Sequence, residues 1–409
     1  ETQISEPGFI VYNELQEDAT VEWEVTVPDD AEVGDTITLS GDALPDALSD
    51  VEPTVLVVRS TRVSAEALDA SPNLSLIVRA GAGYDTIDVA GASARGIFVA
   101  NCPGKNSVAV AELTMGLVVA MDRRIPDNVI DARAGRWNKK RYAEAEGLKG
   151  RTLGIVGLGN IGDAVARRAR AFDLEVVAWS RSLTPKAAAE RGVGFCNTPL
   201  DVAQTADIVT LHVASTPDTK HLANRDFFAA LPDGALFVNT TRAAVVDEEA
   251  LAWAVETKDV RAALDVVEGE PSAKTGDLMH PLADHPNVYI THHIGASTQQ
   301  AQNATALEAA RVAMTFADTG DVPNCVNLAT QTPAIHQLTV RHRDRVGVLV
   351  GVLDEMSRAE WNIQEMENQI FEGAEAAVAS IRFDGPFSEG ALARIRSQEH
   401  VLAVSHIEL

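Results

Sequence analysis

The sequence predicts an α/β protein: two Rossmann-like, doubly wound parallel-sheet lobes, the first discontinuous, followed by a small ferredoxin-like βαββαβ module. Three observations predict it. Short apolar runs recur from Val55 onward, most of them separated by helical stretches. A G-x-G-x-x-G pattern at Gly157, Gly159 and Gly162 follows one such run and opens a second series. After a polar, proline-bearing stretch at 329–333, the remaining residues read strand, helix, strand, strand, helix, strand.

Residues 1–54 carry the weakest pattern, with a strand at 9–12 and an alternating segment at 21–27. The apolar run 55–58 then ends in Arg59-Ser60-Thr61-Arg62. Run 76–78 ends in Arg79-Ala80-Gly81-Ala82-Gly83, and run 97–100 in Asn101-Cys102-Pro103-Gly104-Lys105-Asn106. Polar groups at the carboxyl ends of parallel strands are where ligands bind. Residues 108–121 are apolar almost throughout, so this helix is expected to be buried, against its own lobe or another subunit. The second series starts at Leu153 and continues at 176–179, 208–211, 235–239, 262–265 and 288–290, a sheet of about six strands. A helix at 298–318 is expected to return the chain to the first lobe. The expected domains are therefore 1–100 with 296–327, then 101–295, then 334–409. The last has strands at 335–341, 363–371, 375–383 and 401–409.

The 409 residues suffice for two or three domains. The net charge is −25, with 26 Arg but only 8 Lys. A chain this acidic repels nucleic acid and anionic membranes. Adaptation to high salt and an ordinary acidic surface both accommodate the charge. No apolar run of about 18 residues is present, and residues 1–7 are too polar for a signal peptide. The three cysteines, Cys102, Cys196 and Cys325, are odd in number and lack metal-ligand spacing. Neither a disulfide framework nor a metal site is expected. The composition thus points to a soluble, cytoplasmic protein.

Each glycine of the loop has a physical reason. Gly157 permits the tight turn, Gly159 lets backbone approach a pyrophosphate, and Gly162 lets the helix pack on the strand. Asn160 and Ile161 begin the helix side of the loop, where free N–H groups meet phosphate. A strand at 152–156 before the motif and a helix at 163–171 after it favour a nicotinamide dinucleotide over a purely structural turn. At the end of the next strand an Asp or Glu normally binds the adenosine 2′-hydroxyl. Here stand Ser180 and Arg181, which suit a 2′-phosphate. If Arg181 instead faces solvent, NAD still binds, so NAD and NADP both remain open.

Three polar segments lie at strand ends of the second series: Asn239-Thr240-Thr241-Arg242, Asp265 through Glu270, and Thr291-His292-His293-Ile294-Gly295-Ala296. With the glycine loop, they resemble the D-isomer-specific 2-hydroxyacid dehydrogenases, and among them the phosphoglycerate dehydrogenases. The resemblance covers 55–327 densely and the last module more loosely. It implies that Arg242 binds the substrate carboxylate, His293 takes the hydroxyl proton, and Glu270 orients His293. The chemistry suits these types: a histidine titrates near neutrality, a carboxylate partner stabilises imidazolium, and arginine offers a bidentate fork. Singly, Arg242 reads as a surface ion-pair partner, Glu270 as a helix-start charge and His293 as a loop histidine; jointly, at three strand ends, they read as a site. His292 departs from the family's usual proline, and the register with Ile294-Gly295 selects His293. Asp265 resembles the residue that contacts the nicotinamide amide; Thr240, Gly295 and Ala296 flank the same end. His212 lacks the proline that usually follows it and reads as structural.

For the substrate, the resemblance implies Arg59, Ser60, Arg79, Gly81 and Asn106. Lys139 would be supplied by a neighbouring subunit beside an inserted Trp137. The module at 334–409 resembles an ACT regulatory domain, in which an amino acid binds between subunits near His342 and Asn362. Asp344 and Val346 depart from that pattern. The implied activity is oxidation of 3-phospho-D-glycerate to 3-phosphohydroxypyruvate, the first step of L-serine biosynthesis, by a homodimer or homotetramer. A glyoxylate or hydroxypyruvate reductase is the alternative enzyme, and a non-catalytic NAD(H) sensor the alternative of another class.

Overall fold

The computed structural model describes residues 9–12, 36–37, 44–271 and 275–409. They divide into two compact units, Glu1–Asn327 and Leu328–Leu409. The expected strand at 21–27 lies outside the described residues.

The first unit begins with β1 (Phe9–Tyr12), β2 (Thr36–Ile37), α1 (Leu44–Val51), β3 (Val55–Val58), α2 (Ala65–Asp69), β4 (Leu76–Arg79), α3 (Val89–Ala94) and β5 (Phe98–Asn101). These strands form a parallel sheet in the order β2-β1-β3-β4-β5. Successive side chains of a strand point to opposite faces. Leu56 and Val58 accordingly pack with Leu48, Leu68 and Ala92 of the three helices. Val55 and Val57 face the other way and pack with Ala309, Val312 and Ala313.

The chain then runs through α4 (Ser107–Arg123), α5 (Ile125–Arg133), β6 (Thr152–Val156), α6 (Asn160–Ala171), β7 (Glu175–Trp179), α7 (Pro185–Glu190) and β8 (Gly194–Phe195). It continues through α8 (Pro199–Thr205), β9 (Ile208–Leu211), α9 (Arg225–Ala230), β10 (Leu236–Asn239), α10 (Glu248–Thr257), β11 (Arg261–Leu264) and β12 (Val288–Ile290). The sheet is parallel, in the order β12-β11-β10-β9-β6-β7-β8. It has seven strands rather than six, because two-residue β8 is too short to carry a pattern. The order reverses between β6 and β9, which opens a crevice at their carboxyl ends. The helix expected at 163–171 begins at Asn160 instead. Asn and Gly are poor helix formers, so its first turn read as loop. α4 buries Ala111, Met115, Val118 and Met121 against Leu153, Ile155, Leu236 and Val238, while Val108 stays exposed.

After β12 the chain passes into α11 (Gln299–Thr319), which supplies Ala309, Val312 and Ala313 to the first sheet. Phe316 meets Phe98 edge-on, with ring centroids 6.2 Å apart. Glu308 accepts from Arg311 at 2.6 Å and Asn324 at 2.7 Å and pairs with Lys105 at 3.0 Å. The Arg311 hydrogen bond, with Lys105 and Asn324, overcomes burial and holds the Glu308 carboxyl down at about 2. The returning segment closes the edge of β5. Val326 N–H donates to the Val99 carbonyl at 2.8 Å, and Asn327 Oδ1 accepts from Val99 N–H at 2.8 Å. Asn327 Nδ2 donates to the Ile97 carbonyl at 2.8 Å.

The second unit contains β13 (His336–Arg343), α12 (Val348–Arg358), β14 (Asn362–Ile370), β15 (Ala376–Asp384), α13 (Glu389–Arg396) and β16 (Val401–Glu408). Its antiparallel sheet runs β14-β15-β13-β16, the ferredoxin-like order. Val352, Met356, Leu392 and Ile395 of the helices cover Leu338, Val340, Ile381 and Phe383. Among the described residues no helix is long and apolar enough to cross a membrane, and no group of three or more His, Cys, Asp and Glu is arranged to hold a metal ion.

Replacing Asn327 with Ala leaves a backbone N–H and a carbonyl without their partner at the β5 edge. The expected cost is about 1–3 kcal/mol, read as a lower denaturant midpoint and faster amide exchange at Val99. Unchanged exchange at Val99 would contradict the role of this cap.

Candidate active site

The glycine loop leaves β6 and enters α6, whose N-cap, Gly159, makes no side-chain capping bond. Gly157 has φ +104°, and a Cβ there would meet the His212 carbonyl at 2.6 Å. A Cβ on Gly162 would strike the Gly157 carbonyl oxygen. Packing therefore explains these two glycines. It does not explain Gly159, where a Cβ would meet open space. A loop glycine that no protein atom requires, beside uncapped helix N–H groups, fits a pyrophosphate resting on the backbone. Asn160 reaches across this loop, its Nδ2 2.9 Å from where a Cβ on Gly104 would stand. Ile161 packs against the core behind the loop. Ser180 is half-buried just after β7, and Arg181 is exposed. Arg191, not foreseen from the sequence, donates to the Leu158 carbonyl at 3.0 Å and braces the loop. Burial pushes the His212 imidazole down to about 3, and its Nε2 lies 3.0 Å from Thr210 Oγ1.

At the end of β10, buried Asn239 builds the turn that carries Arg242. Its Oδ1 accepts from Thr241 N–H at 3.0 Å and from the Thr241 hydroxyl at 2.7 Å, and its Nδ2 donates to the Arg242 carbonyl at 3.1 Å. Arg242 Nη1 donates to the Thr241 carbonyl at 2.9 Å, and Nη2 meets Asp85 at 3.2 Å. Thr240, buried, has its hydroxyl 3.4 Å from that of Thr114.

Asp265 follows β11 and is 1% exposed. Its Oδ1 accepts from the Thr291 hydroxyl at 2.5 Å and Ile294 N–H at 2.9 Å, and its Oδ2 from Gly295 N–H at 2.7 Å. Its backbone carbonyl accepts from His293 N–H at 2.9 Å. These bonds fix the segment after β12, within which His293 adopts φ +51°. Ala296 lies in the same turn, half-buried. Oδ2 retains an acceptor site, since a carboxylate oxygen has two.

His293, rather than its neighbour His292, meets Glu270: Nδ1 lies 2.9 Å from Oε2. Glu270 Oε1 accepts from Val267 N–H at 3.0 Å. The hydrogen bond to Glu270 raises the His293 imidazole above its usual range, outweighing burial. Burial works against the charge on Glu270, but the hydrogen bond and charge of His293 hold it below the usual carboxylate range.

The first lobe contributes cations. Burial, then the repulsion of Arg242, lowers the Arg79 guanidinium, and burial lowers Arg59. Arg79 Nε is buried with no hydrogen-bond partner. The glycines of the Arg79 segment make room for these groups. A Cβ on Gly81 would strike the Arg79 guanidinium, and one on Gly83 would strike that of Arg242. Asp85, which sequence reasoning missed, is the carboxylate among them. Burial opposes its charge, but Arg242 beside it keeps it below its usual range. Asn106 caps α4 without a side-chain bond, and its Oδ1 is buried and unpartnered. Ser60 is exposed at the end of β3. Lys139 is not brought to this cluster. It is exposed in the segment after α5, close to Trp137, which is 88% exposed.

Residues 115–295 match the model of the D-isomer specific 2-hydroxyacid dehydrogenase NAD binding domain. A D-3-phosphoglycerate dehydrogenase of Methanocaldococcus jannaschii is 39% identical over 276 residues, 67% of this chain and 52% of that protein. The chain thus spans about half the length of the phosphoglycerate dehydrogenases it matches. A hydroxypyruvate reductase of Thermotoga maritima is 42% identical over 260 residues, 63% of this chain and 82% of that protein. Among solved structures, an NADPH-dependent glyoxylate/hydroxypyruvate reductase of Sinorhizobium meliloti in complex with NADP and malonate is 27% identical, with a TM-score of 0.66. That likeness covers 79% of this chain and 97% of the other. A dinucleotide loop, an arginine, and a histidine–glutamate pair at successive strand ends agree with these likenesses, and the chain belongs to the D-isomer specific 2-hydroxyacid dehydrogenase family.

Proposed function

We propose that this dehydrogenase oxidises 3-phospho-D-glycerate to 3-phosphohydroxypyruvate, opening L-serine synthesis. The observation that carries the proposal is the gathering of half-buried Arg79 and Arg59 with Arg242, close to His293, in a chain of charge −25. Desolvated guanidinium groups that repel one another favour a multiply charged anion over a simple carboxylate.

In this reading residues 1–100 with 296–327 form the substrate lobe and 101–295 the dinucleotide lobe. Gly157, Gly159, Asn160, Ile161 and Gly162 hold the cofactor's pyrophosphate, and Ser180 with Arg181 its adenosine ribose. Thr240, Asp265, Gly295 and Ala296 surround its nicotinamide end. The bound NAD or NADP supplies the hydride acceptor. Arg242 grips the substrate carboxylate with its planar fork, exchanging Asp85 for the ligand. Arg59, Ser60, Arg79, the Gly81 backbone and Asn106 hold the remainder of the substrate, with Lys139 added from a neighbouring subunit. His293 takes the C2 hydroxyl proton on Nε2, because Nδ1 is committed to Glu270. Glu270 stabilises the imidazolium that results. The protein acts as a homodimer or homotetramer in the cytoplasm, a reducing compartment that suits its three free cysteines.

The C-terminal unit is read as an ACT regulatory module at 334–409, with an amino-acid effector bound between subunits. Asp344 places a carboxylate where a neutral group is expected, so L-serine is a poor ligand for it. A second reading, a glyoxylate or hydroxypyruvate reductase, is favoured by one observation: Ser180-Arg181 suits the 2′-phosphate of NADP.

His293→Ala is expected to lower turnover by about 10²-fold or more with cofactor affinity intact, whereas His292→Ala is tolerated. Oxidation needs unprotonated His293, so its rate falls as pH drops through a midpoint above the ordinary imidazole value of about 6.5. Reduction needs the protonated ring and is lost as pH rises through the same midpoint. Glu270→Gln should move both limbs to lower pH; limbs that stay in place would contradict the pairing.

Initial rates with 3-phosphoglycerate and with glyoxylate, each with both cofactor pairs, test the assignment. The phosphorylated acid is expected to be preferred, and NADP to be used with less than about a tenfold penalty, or 1.4 kcal/mol. Ser180→Asp should shift the preference toward NAD. Glyoxylate preferred over 3-phosphoglycerate would establish the reductase reading. A preference for NAD above about a hundredfold, or 2.7 kcal/mol, would place Arg181 in solvent.

A further inference from the structure

Glu248 opens α10, where an acidic residue is ordinarily explained by the helix dipole. Exposed Glu249 beside it already supplies that charge. Glu248 turns inward, and both its oxygens are committed. Oε1 accepts from Glu268 N–H at 2.9 Å, and Oε2 lies 2.6 Å from His280 Nε2. The His280 side chain is 2% exposed and that of Glu248 14%. His280 Nδ1 accepts from Leu282 N–H at 3.2 Å. Nε2 therefore carries the hydrogen and donates it to Glu248. Leu282 is itself locked in the core with Val267 and Val288.

Glu268 lies two residues before Glu270, in a turn whose Gly269 has φ +74°. Glu270 divides its carboxylate between Val267 N–H and His293 Nδ1. The turn is thus held at two points, by Glu270 itself and by Glu248. We propose that Glu248 and His280 are a positioning pair, which anchors the 267–270 turn so that Glu270 is aimed at His293. The inference rests on the reading of His293 as the base and Glu270 as its partner. Without the anchor, Glu268 N–H loses its acceptor and the turn loosens. A hydrogen bond between two side chains on separate loops does not survive displacement of about 1 Å, and a shift of that size costs up to about 10²-fold in rate.

The test uses the 409-residue chain with 13C-labelled histidine. The His293 resonance is assigned by its loss in His293→Ala, and its titration midpoint is read without substrate. Other charged neighbours of His293, Arg242 and Asp265, are untouched by the variants. Glu248→Gln should lower the midpoint in the direction that Glu270→Gln does, and cut turnover with 3-phosphoglycerate and NAD by tenfold or more. The double variant should be no worse than Glu270→Gln alone, because both changes remove one interaction. NADH binding, followed by fluorescence, should stay within twofold. If Glu248→Gln does not fold, His280→Ala should move the midpoint, and His280→Gln, which keeps a donor for Glu248, should restore it. An unmoved midpoint in Glu248→Gln or His280→Ala, or losses that add to those of Glu270→Gln, overturns the positioning pair. A midpoint unmoved by Glu270→Gln overturns the base reading, and this inference with it.

Discussion

A buried carboxylate must be hydrogen-bonded at both oxygens, and that constraint at Asp265 sets the geometry on which the rest of the site depends. Asp265 stands at the end of β11, and it draws the Thr291 hydroxyl and the Ile294 and Gly295 N–H groups around itself. The loop after β12 has to wrap tightly to deliver all of them. The wrap forces His293 into the left-handed region, which a histidine tolerates better than most residues. The result is a ring turned toward Glu270, which arrives from the far side on its own turn. The backbone of His293 is thereby held by Asp265, and its ring by the hydrogen bond to Glu270.

The cations follow a complementary logic. Arg59 and Arg79 come from the first sheet, Arg242 from the second, and Gly81 and Gly83 make the room that the guanidinium groups of Arg79 and Arg242 occupy. Burial, and the repulsion of Arg242 and Arg59, press against the charge on Arg79, and an anion beside it would relieve both penalties at once. Asp85 tempers the cluster through Arg242. The chain passes from the first sheet to the second before α4 and back to the first before α11, and the Lys105–Glu308 pair ties the first passage to α11.

Much of this was legible in the sequence. The glycine loop directly follows an apolar run, Arg242, Glu270 and His293 stand three or four residues after one, and parallel strands leave their ligand-facing groups there. The ferredoxin-like order of the C-terminal unit was legible for a similar reason: its strands are long enough for alternation to show, as in β15. What stayed hidden depends on tertiary contact. Asp85 follows the glycines as any loop residue does, and only the fold places it against Arg242. The pairing of Glu248 with His280 joins positions 32 residues apart, with no periodicity to link them. The motif assigns Gly159 a role apart from Gly157 and Gly162, and only the fold shows that its missing Cβ would meet no protein atom within 4 Å. Two-residue β8 and the first turn of α6 were lost because local propensity there is weak.

The most direct measurement is the turnover of Asp265→Asn, set beside its cofactor affinity. An amide replaces one of the two acceptor oxygens with a donor, so at least one of the Thr291, Ile294 and Gly295 bonds must break. If Asp265 sets the position of His293, turnover measured with cofactor and substrate both saturating falls by about 10²-fold, beyond any loss of NADH affinity at the nicotinamide end. Turnover that survives, or a loss confined to cofactor affinity, would show that the His293 loop holds its shape without this carboxylate.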